Sequence, residues 1–312
     1  MGFGQLLGND SLKEQLNNAF ARGRASHFYL ISGPEGSGKH TLARLLAAAF
    51  LCRGNQRPCL TCAACRKALA GVHPDFITVE DPEHKNVAVK IIRQAREDMF
   101  IRPNESEKKI YFFPQSLGVE GQNALLKIFE EPPAYGVFLL LTDQPEKLLP
   151  TVRSRCVELR LQPLDRKTLQ TALRREFPDA DAVAVDGAIA RSGGYLGQAK
   201  ALLSQPVSRQ TEDFVRALAD RDALLLTQVL VPMEKWKRDQ ALAQWQEWLE
   251  ILEGAMACRA GMPALSPLSS RLAPARTAAE WNAAVEAVKK AMTYAQSNVS
   301  VAAICGWLTR TL

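Results

Sequence analysis

The sequence predicts an α/β domain built around a phosphate loop, followed by two all-helical domains. Three observations predict it. Strand-like and helix-like segments alternate as far as Pro163, a glycine-rich loop joins the first strand to a helix, and only helical patterns follow Pro163. Alternating strands and helices build a mostly parallel sheet with helices on both faces. The 312 residues suffice for two or three domains. The expected boundaries are 1–163 for the α/β domain, 164–207 for a small helical unit, and 208–312 for a larger helical domain.

The elements follow in order. "DSLKEQLNNAFARG" has helical spacing, with Leu12, Leu16 and Phe20 on one face, Asp10 as the N-cap and Gly23 as the stop. "HFYLISG" reads as a buried strand and "TLARLLAAAFLC" as a helix. "DFITVE" is strand-like, "VKIIRQAREDMFI" helical, and "KKIYFFP" a strand stopped by Pro114. "QNALLKIFEEPP" is a helix stopped by two prolines. "VFLLLT" and "CVELRLQPL" complete the strands. A helical unit containing "SGGYLGQAKALL" precedes a linker, "SQPVSR", and long amphipathic helices complete the chain. All five tryptophans lie in this last part, from Trp236 to Trp307. Trp245 and Trp248 share a helix face, as core residues do.

Composition excludes several classes. Hydrophobic residues make up 47%, which excludes a disordered chain. No apolar run approaches the roughly 20 residues of a membrane helix. "MGFGQLLGND" lacks a basic stretch followed by an apolar core, so a cytoplasmic location is expected. A net charge of +6 permits nucleic-acid contact but equally describes an ordinary solvated surface. The same two alternatives hold for Lys90, Arg93 and Arg96, spaced by three along one helix.

The loop "GPEGSGKHT" matches G-x-x-x-x-G-K through Gly33, Gly38 and Lys39, with Gly36 between them. Such glycines let backbone N–H groups curl around phosphate oxygens, and Lys39 would reach the β- and γ-phosphates of ATP. The next residue normally offers a hydroxyl to Mg²⁺. Here it is His40. Thr41 cannot replace it, because one helical step turns the side chain by roughly 100°. A hydrolysing enzyme also needs carboxylates at the end of a second strand. "KKIYFFPQS" ends instead in Pro114 and Gln115, and the next acid is Glu120. Nucleotide binding is compatible with this loop; hydrolysis is not expected.

Four of seven cysteines fall at Cys52, Cys59, Cys62 and Cys65, a C-x6-C-x2-C-x2-C pattern. Four thiolates at short spacing can surround a structural Zn²⁺ tetrahedrally. Gly54 and Pro58 supply turns. His73 is a poor fifth ligand and is expected at a helix end. A DNA-binding finger ranks low, because no basic recognition helix follows.

The stretches "NALLKIFEEPPAYGVFLLLT" and "LLPTVRSRCVELRLQPL" closely resemble the clamp-loader ATPase subunits of bacterial DNA polymerase III, members of the AAA+ group. The cysteine module after the loop helix fits that family too. The missing catalytic residues resemble the non-hydrolysing delta-prime type more than the gamma/tau type. The resemblance implies an AAA+ domain, a helical lid and a helical collar that joins a ring. It implies gamma/tau and delta subunits, the sliding clamp and primed DNA as partners. It places Thr142 at the sensor-1 position, and Gly197 where active subunits carry an arginine that touches the γ-phosphate. It makes Arg155 of the intact Ser154-Arg155-Cys156 motif a finger that enters a neighbouring subunit's ATP site, with Arg153 a solvated neighbour. Two alternatives stand beside it: an active gamma/tau-like ATPase with Glu120 as the displaced acid, and a zinc-dependent DNA-binding protein.

Overall fold

The structure is a computed structural model that describes residues 2–204, 207–264, 266–297 and 299–312. Gln205 and Pro206, in the expected linker, lie outside the described residues. The chain forms two compact units, Met1–Leu169 with Gly194–Gln198, and Gln170–Gly193 with Ala199–Leu312.

The first unit contains α1 (Asp10–Ala21), β1 (Phe28–Ser32), α2 (Lys39–Leu51), α3 (Ala63–Ala70), β2 (Phe76–Thr78), α4 (Val89–Asp98), β3 (Lys109–Phe113), α5 (Val119–Glu130), β4 (Gly136–Thr142), α6 (Pro150–Arg153) and β5 (Val157–Arg160). The five strands are parallel, in the order β2-β3-β4-β1-β5. Every residue of β1 and β3 is buried, as a sheet covered on both faces requires. Side chains alternate between two cores. Tyr29, Ile31, Phe112 and Leu139 pack with α2 and α3 on one face, and Phe28, Leu30, Phe113 and Leu140 with α5 on the other. The helices preceding and following the phosphate loop's strand therefore close one face, while α4 and α5 close the opposite one.

The expected N-cap of α1 is off by one. Asn9 occupies that position in a left-handed conformation, its side chain bonding Gln162 instead of the helix. Asp10 begins the helix and pairs with Lys13. Helix α4 stops at Asp98, leaving Phe100 and Ile101 exposed beyond it. The first unit extends past Pro163 and takes in Gly194–Gln198, because these residues are hydrogen-bonded to it. Leu164 N donates to Gly194 O at 2.8 Å, and Gly197 N donates to Gly36 O at 2.9 Å.

The remaining elements are α7 (Arg166–Glu176), α8 (Ala182–Arg191), α9 (Leu196–Ser204), α10 (Arg209–Asp220), α11 (Ala223–Leu230), α12 (Arg238–Arg259), α13 (Pro267–Leu272), α14 (Ala278–Gln296) and α15 (Val301–Thr311). Among the described residues no strand follows β5, in line with the helix-only pattern. Trp245, Trp248 and Trp281 are fully buried, and Phe214 stacks on Trp248 at 3.9 Å. These tryptophans are core. Among the described residues, no helix is long and apolar enough to cross a membrane.

Candidate functional site

The phosphate loop leaves the carboxyl end of β1, between β4 and β5, where open α/β sheets bind ligands. Gly33 N donates to Thr142 O at 3.2 Å, tying the loop to the end of β4. Gly38 caps α2 at φ 97°, a conformation other residues rarely adopt. Lys39 is buried, and its ammonium has three protein partners. It donates to Gly33 O at 2.7 Å and Pro34 O at 2.8 Å, and pairs with Asp143 at 2.6 Å. The lysine expected to reach phosphate is held by its own loop and by the residue after Thr142. Asp143 went unnoticed in the sequence.

His40 and Thr41 point outward at the start of α2. The His40 ring sits edge-on to Phe112, at 5.7 Å. Desolvation there, with Lys39 and Arg44 nearby, holds its pKa below the ordinary value. An imidazole therefore stands where a hydroxyl would meet Mg²⁺.

Gln115 does more than mark a missing acid. Its Oε1 accepts Asp81 N at 2.6 Å, and its Nε2 donates to Asp81 O at 2.9 Å and His84 O at 3.1 Å. The amide clips the loop before α4 to the end of β3. Glu120 is exposed in the first turn of α5, on the helix covering the sheet face opposite α2.

Gly197 packs backbone to backbone on the loop. A Cβ there would lie 2.6 Å from Gly36 Cα, and a Cβ on Gly36 would lie 2.5 Å from Gln198 N. Gln198 Nε2 donates to Glu35 O at 2.9 Å. The position read as a lost arginine is thus one that requires glycine.

The cysteines converge at the far end of α2. Their four Sγ atoms lie within 4.8 Å of one another, with Cys59 and Cys65 3.9 Å apart. A tetrahedral ion with metal–sulfur bonds near 2.3 Å sets sulfurs about 3.8 Å apart, so the cluster fits one ion. Backbone N–H groups of Gly54 and Cys59 point at Cys52 Sγ, that of Cys62 at Cys59 Sγ, and that of Cys65 at Cys62 Sγ. The Cys62 N–H, with help from Thr61, pulls the Cys59 thiol down to about 5. Burial pushes Cys52 and Cys65 up.

Helix α3, capped by Cys62, carries Arg66 and Lys67 and is not evident in the sequence. The helix overlaps the cluster, with Cys65 inside it and two basic residues after that cysteine. Lys67 is engaged with Glu105 at 2.8 Å. His73 lies just beyond α3, buried, its Nδ1 accepting from Asp75 N at 3.1 Å. Buried Asp75 accepts from the N–H groups of Asn104, Glu105 and Ser106. Burial pushes its carboxyl up, but the three donors outweigh this and hold it below the ordinary value.

Arg155 lies at the other end of the sheet. It follows α6 and precedes β5, whose Val157 aligns with Tyr29. Val157 is four residues of strand, about 13 Å, below the level of Gly33, and Arg155 precedes it at the amino end of β5. Its Nη1 donates to Thr151 O at 2.7 Å and Ser154 Oγ at 3.2 Å, and its Nη2 pairs with Glu130 at 2.6 Å. Cys156 donates to Arg153 O, and burial pushes its thiol up to about 11. Arg153 is exposed, as are Lys90, Arg93 and Arg96 on α4.

The strand order and the loop after β1 place the first unit in the P-loop α/β class, in its AAA+ form. Residues 8–165 match the family model described as DNA polymerase III, delta subunit, and the chain belongs to that family. It is 35% identical over 205 residues to DNA polymerase III subunit delta' of Pseudomonas aeruginosa, covering 63% of this chain and 62% of that one. It is 36% identical over 161 residues to subunit delta' of Bacillus subtilis, covering 51% and 49%. It is 32% identical over 200 residues to subunit gamma/tau of Mycobacterium bovis, covering 62% and 34%. The chain therefore spans between a third and three fifths of these relatives' lengths.

Proposed function

We propose that this chain is a delta-prime-type clamp-loader subunit that does not hydrolyse ATP and completes a neighbour's ATP site with Arg155. The position of Arg155 carries this. A guanidinium at the amino edge of the sheet is turned away from the phosphate loop at the carboxyl edge, which supports a phosphate partner on another chain. Guanidinium forks suit the charge on a transferring phosphoryl group. The loop's own state agrees. Lys39 is neutralised by Asp143, Gln115 is committed to Asp81 and His84, and Gly197 offers no cation.

In this proposal Gly33, Gly36, Gly38, Lys39, His40, Thr41 and Thr142 form a degenerate nucleotide site. Cys52, Cys59, Cys62 and Cys65 hold a structural Zn²⁺. Residues 1–163, 164–207 and 208–312 act as the AAA+ domain, lid and ring-forming collar. Gamma/tau and delta subunits, the sliding clamp and primed DNA are the partners, met in the cytoplasm.

The similarity to gamma/tau supports a second reading, a hydrolysing subunit. An ATP titration of the purified chain, with phosphate release followed in parallel, separates the two. We expect no Mg²⁺-dependent turnover above background; steady turnover selects the hydrolysing subunit.

A further inference from the structure

We infer that Glu130 is a positioning residue that latches Arg155 against its own subunit until a neighbour's nucleotide competes for it; this rests on the trans role proposed for Arg155. Glu130 is the last residue of α5, and Arg155 follows the cap of α6. A carboxylate at a helix C-terminus is disfavoured by the helix dipole and gains from a nearby cation. The end of α6 likewise presents carbonyls that lack helical donors. The Arg155 guanidinium answers both needs at once. Its Nη2 takes Glu130 Oε1 at 2.6 Å, and its Nη1 takes the Thr151 carbonyl at 2.7 Å and the Ser154 hydroxyl at 3.2 Å. Thr151 lies four residues back in α6, so the side chain is folded over the end of that helix. Both Nη1 hydrogens and one on Nη2 are engaged.

A phosphoryl oxygen pair taken up bidentately needs two parallel N–H donors. Arg155 can present the outward Nη1/Nη2 edge to such a pair only by releasing Glu130 or the end of α6, because the partners it holds now occupy both of those nitrogens. Side chains in the Glu130–Arg155 pair remain 43% and 35% exposed, so the latch is weak and reversible. It keeps an unassembled subunit's finger from binding stray anions, and it lowers the rate at which an assembled site becomes complete.

The test uses Glu130→Gln, which keeps the shape and removes the charge. In the isolated chain, phenylglyoxal modification of Arg155 is followed by peptide mass spectrometry, with exposed Arg153 as internal reference. Release of one exposed pair predicts about two- to fivefold faster modification of Arg155, with Arg153 unchanged. Equal rates at Arg155 overturn the latch. In a reconstituted clamp loader, Glu130→Gln should raise DNA-stimulated ATPase by a similar factor, and the gain should vanish in a background carrying Arg155→Ala. If Arg155→Ala lowers the rate but Glu130→Gln leaves it unchanged, the latch fails and the finger stands. If Arg155→Ala leaves the rate unchanged, the finger fails and with it the competition proposed here, whatever the isolated chain shows.

Discussion

The two ends of one parallel sheet differ in how they treat charge. At the carboxyl end, the phosphate loop has its cation satisfied from within. Lys39 meets two loop carbonyls and Asp143, and the Gly194–Gln198 segment lies backbone to backbone on the loop. At the amino end, Arg155 is held by one exposed carboxylate and two oxygens of its own helix end. At the loop the cation itself is buried and holds two carbonyls besides the exposed Asp143, whereas both members of the Arg155–Glu130 pair are partly exposed, so the second arrangement is the cheaper to undo. On the proposed reading, the loop's cation is committed within the chain while Arg155 stays available at the far edge.

The largest effect is expected from removing what anchors the far end of the helix that leaves the loop. Helix α2 starts at the phosphate loop and ends at the cysteine cluster. Chelation, or Cys59→Ser, should destabilise the first unit by several kcal/mol, since the binding energy of a structural metal is folding energy. Metal content by atomic absorption and thermal melts by circular dichroism check this. A chain with no bound metal and an unchanged melt contradicts it.

Next in size is Gly197→Ala. The new Cβ meets Gly36 Cα at 2.6 Å, backbone against backbone, so the cost should be about 1–3 kcal/mol in urea unfolding. A neutral result would mean the segment does not rest on the loop.

Asp75→Asn should cost about 1–3 kcal/mol at pH 7, because three N–H groups lose a carboxylate acceptor. The Asp75 pKa is lowered in the folded state from 3.8. Its stabilisation is therefore present above that value and lost as pH falls through the lower folded one. Urea melts at neutral and strongly acidic pH should show the difference between wild type and variant shrinking in acid. The smallest effect is expected for Gln115→Ala, about 1 kcal/mol, through the freed loop at Asp81 and His84. Faster amide hydrogen exchange at Asp81 would report it; unchanged exchange would deny Gln115 its clip.

Much of this molecule was legible in its sequence. Strands such as "FYLIS" and "KIYFF" are continuous apolar runs because both faces of the sheet are covered. The loop and the cysteine quartet follow from local spacing. Helix α3 was hidden because its eight residues overlap the cysteine pattern and read as loop. Asn9 and Asp10 are both good capping types, and only the contact with Gln162 shows how Asn9 is used. The partners that define the site were not legible at all. Asp143 on Lys39, Gln115 on Asp81, Gly197 on Gly36 and Glu130 on Arg155 join residues far apart in the chain, and no spacing rule links them.

The most direct measurement is the DNA-stimulated ATPase of a clamp loader reconstituted with gamma/tau and delta subunits and this chain carrying Arg155→Ala. A finger is worth roughly 10³–10⁵ in rate at the site it serves. Because only the adjoining site loses its finger, the total rate should fall by at least the share of turnover that site carries. The isolated variant should melt like wild type, since the exposed pair it loses is worth less than about 1 kcal/mol. An undiminished rate with a correctly assembled complex would contradict the assignment of Arg155 to a neighbour's site.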